Sequence, residues 1–298
     1  MKVLMALIKR NIKLFFRDKG MFFTSLITPM ILLVLYISFL GNVYRDSFVQ
    51  NLPQNFPLEE SVLDGLVGGQ LISSILAVSC VTVSFCANFL MVQDKANGSL
   101  VDMLISPVKP SALALAYYLA TLCSSLLICM VATGICLAYV ATMGFYMSLI
   151  DVLLLLLDVV LLVLFGTALS SVINFFLSTQ GQISAVGTII SSGYGFICGA
   201  YMPIASFGEG LQKAISLLPG TYGTALVRTH SLRGAIDELG KAGVPENILE
   251  EMRSALDCSV DFFGKTVPEE VMYLILVGTV LLLIGVYILL NALRKPQK

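Results

Sequence analysis

The chain has 298 residues, of which 57% are hydrophobic and 12% are charged, with a mean hydropathy of +0.90 and a formal net charge of −1. Soluble domains carry roughly 25% charged residues, so this composition excludes a water-soluble globule, a disordered tail and a disulfide scaffold. The small net charge provides no basic field for a phosphate backbone, which excludes a nucleic-acid-binding protein. The sequence therefore predicts an integral membrane protein.

The first predicted element is an amphipathic helix over residues 1–21. Its apolar face comprises Leu4, Leu7, Ile8, Ile12, Leu14 and Phe15, and its basic face Lys2, Lys9, Arg10, Lys13 and Arg17. Such a helix lies in the headgroup plane with its basic side toward anionic lipid. Two roles fit this pattern: a surface anchor that sets topology, or a moving part that relays force.

Six stretches are long and apolar enough to cross roughly 30 Å of hydrocarbon as helices. They cover residues 22–41, 70–92, 112–141, 152–177, 183–203 and 271–291. Because a continuous helix satisfies its own backbone in lipid, we expect an all-α membrane bundle in which residues 1–298 form one transmembrane domain.

Lys and Arg residues near the ends of the spans predict the orientation. Eleven of the 18 basic residues lie on the side of the N-terminus, and the others are mostly far from span ends. Both termini are therefore expected in the cytoplasm of a multi-pass membrane protein.

The loop over residues 93–111, between the second and third spans, predicts a short cytoplasmic helix. Gly98 and Ser99 are suited to breaking and recapping the chain, and Ser99 with Asp102 has capping-box spacing. The apolar ridge and the prolines that end it are Leu100, Met103, Leu104, Ile105, Pro107 and Pro110. This element either folds onto the bundle or docks a partner.

Residues 204–270 are predicted to lie outside the cell. The stretch 203–228 is too apolar for a free loop and too broken for a span, so it predicts re-entrant or interfacial helices packed on protein. Residues 231–270 carry four basic and nine acidic side chains. They predict a small acidic cap with a helix that starts at Pro245.

The fifth predicted span carries a stripe of small residues, Gly187, Ser191, Gly195 and Gly199. Small residues at intervals of four let two membrane helices approach closely. The stripe therefore predicts close packing, either within the bundle, across an interface with a second subunit, or along a translocation path.

Asp158 is the clearest charge inside a predicted span, and no Lys or Arg lies in a span core to pair with it. A carboxylate in hydrocarbon is expensive, so Asp158 is expected to face the bundle interior or a wet cavity. It is either a hydrogen-bonded structural acid or a contact for cargo or a cation. Asn174, near the inner end of the fourth span, is expected to form interhelical hydrogen bonds or to line the cargo path.

Motifs for catalysis and for metal binding are missing from the sequence. A phosphate-binding loop needs G-x-x-x-x-G-K-[ST], and Ser259 stands where the first glycine must precede Gly264-Lys265-Thr266. His230 is the single histidine, and no C-x-x-C pair occurs, so no zinc site is predicted. We expect no catalytic residue, no metal and no cofactor in this chain.

The cytoplasmic loop resembles the coupling segment of type-2 ABC export permeases. The matching positions are Asp94, Gly98-Ser99-Leu100, Asp102, Leu104 and Ser106-Pro107-Val108. The outer segment is similar to that family in Gly199 to Pro203, Leu218-Pro219 with Tyr222, and Arg228. The Arg-Asp-Lys turn at 17–19 and Pro29 also fit.

This resemblance implies a six-span permease subunit in a bacterial cytoplasmic membrane, paired with a second permease as a homo- or heterodimer. Two cytoplasmic ATPase subunits would bind ATP and Mg²⁺ and press on residues 93–111. Pro203, Pro219, Tyr222 and Arg228 would then belong to an outer gate, and the cargo would be a drug, a lipid-linked molecule or a peptide. Two other classes remain open: an ion-coupled carrier or channel that uses Asp158, and a non-transporting scaffold for an ATPase.

Overall fold

The computed structural model describes residues 2–51, 59–106 and 108–293, and these residues form an almost entirely helical protein. In chain order the helices are α1 (Lys2–Arg17), α2 (Lys19–Leu35), α3 (Gly41–Asn51), α4 (Glu60–Ala96), α5 (Ser99–Ile105), α6 (Pro110–Met143), α7 (Leu149–Phe176), α8 (Gln180–Ile197), α9 (Glu209–Ser216), α10 (Pro219–Lys241), α11 (Glu246–Ala255) and α12 (Glu269–Leu293). A π-helical turn, Tyr36–Leu40, joins α2 to α3, and a 3-10 turn occupies Ile204–Ser206. A hairpin of two short strands, β1 (Asp261–Phe262) and β2 (Lys265–Thr266), departs from the all-α prediction.

Five helices in the described part of the chain are long and apolar enough to cross a membrane. They are Lys19–Asp46, which combines α2 with the π-helical turn and the start of α3, and then α4, α6, α7 and α12. This confirms the prediction of a multi-pass membrane protein. The predicted fifth span, 183–203, corresponds to α8, which ends at Ile197 and is not among the five. At 1.5 Å per residue its 18 residues extend about 27 Å.

Helix α4 is the centre of the bundle and is buried along almost its whole length. It packs against α2, α6, α7, α8 and α10. The sequence predicted a span over 70–92, but the helix begins at Glu60, ten residues before the predicted span. Close packing explains the longer helix: a Cβ on Gly69 would lie 2.6 Å from the Ser231 carbonyl oxygen, so glycine lets α10 approach α4 directly.

Helix α10 corrects the predicted division of the outer region. The sequence placed re-entrant helices up to residue 228 and an acidic cap from residue 231, but one helix, Pro219–Lys241, crosses this boundary. It is buried against α4, α7 and α12. The predicted cap helix is confirmed as α11, which starts after Pro245 and buries Leu249 and Met252.

The N-terminal amphipathic helix is confirmed as α1, and it packs chiefly against α6. Phe15 and Asn11 are its buried residues. Asp18 separates α1 from α2, and its carboxylate accepts a hydrogen bond from the Met21 backbone N–H at 3.1 Å. This N-cap fixes the corner between the amphipathic helix and the first span.

Candidate functional site

The predicted break between the second span and the short helix that follows it is present at the end of α4. Gly98 adopts a left-handed conformation, with φ of +79°, and α5 follows directly. The predicted capping box is wrong, because Gly98 itself is the N-cap and no side chain caps α5; Ser99 is already helical. Pro107 lies outside the described residues.

Helix α5 has one buried and one exposed apolar side. Leu100 is buried, and Leu104 is half-buried beside it in a cluster that includes Tyr117 and Tyr287. The outward side presents Val101, Asp102 and Ile105, and Ile105 is 79% exposed. The apolar ridge predicted for this helix is therefore divided between two sides. Leu100 and Leu104 attach α5 to the bundle, whereas Ile105 is exposed and available for contact with another molecule.

Asp94 lies inside the protein and ties three helices together. Its carboxylate accepts hydrogen bonds from Arg10 of α1, at 2.7 and 3.1 Å, and from the Tyr117 hydroxyl of α6, at 2.5 Å. The hydrogen bond to Asp94 raises the pKa of the Arg10 guanidinium above its usual value. Asp94 therefore links α1 to α4 and α6 instead of facing the cytoplasm.

Lys95 joins the same end of α4 to α7. Its ammonium group donates to the carbonyl oxygens of Asn174, Phe175 and Leu177 at 2.6–2.9 Å. These carbonyls are at the end of α7, where a cation also interacts favourably with the helix dipole. Adjacent residues of α4 thus connect it to the amphipathic helix and to a second span.

A cavity of about 1080 Å³ lies between α2, α4 and α8. It extends from Asp18 and Ile183 at one end to Leu40, Phe196 and Tyr201 at the other. Its walls combine apolar side chains with hydroxyl groups, and the latter are Thr24, Thr28, Ser184, Thr188, Ser191, Ser192 and Tyr201. Among the described residues that line it, Asp18 is the one with a charged side chain.

The predicted small-residue stripe is shorter than expected. Gly187 and Ser191 line the cavity, and a Cβ on Gly187 would lie 3.4 Å from the Phe89 ring of α4. Gly195 faces Tyr201 of the same chain. Gly199 lies beyond the end of α8 with φ of +75°, so it belongs to a turn and not to a helix face.

The predicted outer-gate residues lie in the segment that follows α8 and in α10. Pro203 precedes the 3-10 turn, and Pro219 is the first residue of α10. Tyr222 is buried, and its hydroxyl donates to the Ser216 carbonyl at 2.7 Å. Arg228 is also buried and reaches back to the turn after α8.

Arg228 forms an ion pair that the sequence did not predict. One guanidinium nitrogen donates to Asp257 Oδ2 at 3.1 Å, and the other to the Gly199 carbonyl at 2.9 Å. The same Asp257 oxygen accepts from the Ile204 N–H at 2.9 Å. Burial raises the pKa of the Asp257 carboxyl above its usual value, while the Arg228 charge and the Ile204 N–H lower it.

Asp158 lies at a packed helix interface. It is fully buried, and its two oxygens are 2.6 Å from His230 Nδ1 of α10 and from the Tyr273 hydroxyl of α12. His230 Nε2 is 3.8 Å from Glu269, which also pairs with Arg233. Asp158 is not among the residues that line the cavity.

Asn174 is also fully buried and does not line the cavity. Its side-chain amide has no hydrogen-bond partner among the described residues. The backbone carbonyl of Asn174 instead accepts from Lys95, so the expected interhelical contact is made by the main chain. In the described part of the chain, no group of three or more His, Cys, Asp or Glu residues is arranged to hold a metal ion.

The sequence indicated several residues of the candidate site, but it did not indicate the residues that bind them through hydrogen bonds and ion pairs. Arg10 was assigned to a lipid-facing surface, and His230 to the boundary of an external cap. Asp257 had no signal beyond its charge. Tyr201 was not singled out, because it falls inside the predicted span 183–203. Gly195, against which its ring lies, was predicted only as part of the small-residue stripe.

A family model for the ABC-2 type transporter matches residues 2–230, which is most of the chain and includes α1, α5, the cavity and Arg228. A search of curated proteins found no match.

Proposed function

Because the chain belongs to the ABC-2 type transporter family, we propose that this permease subunit is driven by separate cytoplasmic ATPase subunits and exports an apolar or amphipathic cargo. The observation that carries the proposal is the position of α4. This helix walls the cavity with Cys86, Phe89 and Gln93 and ends three residues before α5. A force on α5 therefore acts directly on a wall of the cavity.

Two further contacts spread such a force through the bundle. The Asp94–Arg10 pair transmits it to α1, and Lys95 transmits it to the end of α7. When the ATPase subunits bind ATP and close, α1, α4 and α7 move together as rigid bodies. In this mechanism α1 serves as a moving part and not only as a surface anchor.

The cavity lining favours a cargo with a large apolar part and a few hydrogen-bonding groups. Phe89, Ile31 and Leu35 offer apolar contact, while Thr28 and Ser184 offer hydroxyls. Binding sites for small molecules are typically apolar with a few placed polar groups. A drug, a lipid-linked molecule or a peptide with few charges fits this pattern.

The exposure of α8 supports pairing with a second permease, identical or different. Only Tyr194 and Gly195 are buried in this helix. Its exposed side carries Ser184, Thr188 and Ser192, whose composition suits contact with another helix better than contact with lipid. In the pair, α8 of each subunit is the additional span that brings the count to six, and it closes the open side of the cavity.

The membrane arrangement completes the proposal. Both termini and α5 lie in the cytoplasm, and residues 204–270 lie at the outer face, with α9 and the start of α10 as re-entrant helices. Asp158 is bound by His230 and Tyr273, which supports a structural role and weakens the alternative of an ion-coupled carrier.

The test is purification with the native ATPase, reconstitution in liposomes, and a screen of compounds for stimulated ATP hydrolysis and ATP-dependent flux. Ile105→Ser on α5 is the informative variant, and Ile135→Ser on α6 is the control, because both isoleucines are exposed, at 79% and 62%. We expect Ile105→Ser alone to lower stimulation and flux. Wild-type values for Ile105→Ser, or full flux without ATPase subunits, would contradict the proposal.

A further inference from the structure

Tyr201 lines the cavity at the end that also contains Leu40 and Phe196. The Tyr201 ring lies so close to Gly195 that a Cβ added to Gly195 would overlap the ring. Phe196 contacts the same ring edge to face, with centroids 5.0 Å apart and an interplanar angle of 89°. Both aromatic residues line the cavity. Glycine at position 195 is therefore what allows the ring of Tyr201 to lie against α8.

The turn that carries Tyr201 is fixed on both sides by one ion pair. Before Tyr201, the Gly199 carbonyl accepts from Arg228 at 2.9 Å. After it, the Ile204 N–H donates to Asp257 at 2.9 Å. Arg228 and Asp257 bind each other at 3.1 Å, and both are almost completely buried. Tyr201 itself is bound to α8, because its N–H donates to the Gly195 carbonyl at 3.0 Å and its hydroxyl lies 3.5 Å from the Ser191 carbonyl. The ion pair thus holds the two ends of the turn whose middle is attached to α8.

The backbone at Asp257 supports a specific role for this residue. Its φ is +53°, one of two positive values at non-glycine residues in the described chain. A non-glycine residue in this region is uncommon and is strained unless its surroundings hold it. Here the conformation directs the carboxylate from the end of α11 toward both Arg228 and Ile204.

We propose that Tyr201 is the outer gate of the cavity and that the Arg228–Asp257 pair is a latch that keeps it closed. This inference rests on the proposed function, since it takes the cavity as the cargo path. Asp257 is a positioning residue: it acts on the gate through Arg228 and the 199–204 turn. When the pair separates, the turn is released from α10 and Tyr201 leaves α8, which opens the cavity to the outside.

Native cysteines provide a test that needs neither cargo nor ATPase. Cys86 lines the cavity, whereas Cys129 is fully buried elsewhere in the bundle. A membrane-impermeant maleimide is added to the outer side of the reconstituted full chain, and labelling of each cysteine is quantified by peptide mass spectrometry. Selective labelling of Cys86 reports an open gate, and labelling of Cys129 reports unfolding.

Two matched pairs of variants separate the gate from the latch. Gly195→Ala displaces Tyr201 directly, and Gly193→Ala is its control, because a Cβ on Gly193 meets nothing within 4 Å. Asp257→Asn weakens the latch, and Asp261→Asn changes an exposed acid of the same cap. We expect Gly195→Ala and Asp257→Asn to raise the Cys86 labelling rate by about tenfold, as for a gate whose open state is otherwise a minor one.

Asp257→Asn leaves the Arg228 charge buried without its partner, which destabilises a protein. The double variant Arg228→Gln/Asp257→Asn leaves no unpaired charge and is expected to label Cys86 as fast as Gly195→Ala. If Cys86 is labelled at the wild-type rate in both the double variant and Gly195→Ala, the proposal is overturned. Equal increases at Cys86 and Cys129 in Gly195→Ala would also overturn it, because Tyr201 would then support the fold and not a gate. Either result can occur while ATP-dependent flux persists, so it is distinguishable from failure of the proposed function.

Discussion

Replacing Asp158 with alanine is expected to destabilise the bundle strongly. His230 Nδ1 and the Tyr273 hydroxyl each lie 2.6 Å from a carboxylate oxygen, so one side chain joins α7 to α10 and α12. A buried polar group left without its partner costs about 1–3 kcal/mol, and two cost about 2–6 kcal/mol. Because 1 kcal/mol corresponds to about 2–4 °C in a chain of 150–250 residues, we expect the unfolding midpoint to fall by about 4–24 °C.

The midpoint is measured in detergent with a thiol-reactive fluorophore, since six of the seven cysteines are buried. Tyr273→Phe removes one contact and is expected to cost about 1 kcal/mol. Asp102→Ala, at an exposed position of α5, is the control and should leave the midpoint unchanged. An unchanged midpoint in Asp158→Ala would refute the assignment of Asp158 as a structural link.

The same site separates two classes of transporter. Asp158→Asn keeps the shape of the side chain and is expected to retain ATP-driven flux per folded molecule, because Asp158 does not line the cavity. Loss of flux with a wild-type midpoint would contradict this expectation. Such a result would favour an ion-coupled carrier that uses this carboxylate.

Three further predictions follow from the packing around α4. Asp94→Ala removes the partner of Arg10, so we expect faster tryptic cleavage within α1. We also expect ATP-driven flux to be lost while basal ATP hydrolysis is retained. Cleavage as slow as in the wild type would contradict the link between α1 and α4. Lys95→Met removes a donor to three carbonyls and is expected to lower the midpoint by a few degrees, equivalent to about 1–2 kcal/mol. Gly69→Ala forces a Cβ against a backbone oxygen and is expected to cost about 1–3 kcal/mol, whereas Gly134→Ala, with open space around it, is expected to cost nothing.

Local features of the fold were predictable from the sequence. Five of the six hydrophobic stretches correspond to helices long and apolar enough to cross a membrane. Gly98 predicted the break before α5. Both signals were readable because hydropathy and left-handed conformations are properties of short segments. The amphipathic pattern of α1 depends on a 3.6-residue period and was also confirmed. Helix ends were less accurate: α4 begins ten residues earlier than its predicted span, because glycines such as Gly69 allow close packing to continue outward.

The contacts that organise the candidate site were not predictable in the same way. Asp158 and His230 are 72 residues apart, and Arg10 and Asp94 are 84 apart, so their pairing depends on how the helices pack. Polar residues in α10 looked like part of an external cap, because nothing in the sequence showed that α7 and α12 supply their partners. The Arg228–Asp257 pair was not predictable either, because it too depends on how separate segments of the chain pack together.

Accessibility of position 105 tests the central claim most directly. An Ile105→Cys variant is treated with an impermeant thiol reagent in inside-out and right-side-out vesicles, with and without the native ATPase. We expect labelling from the cytoplasmic side only, and protection when the ATPase is bound, because Ile105 is the most exposed apolar residue of α5. Labelling from the outer side, or equal labelling with and without the ATPase, would contradict a permease driven through α5.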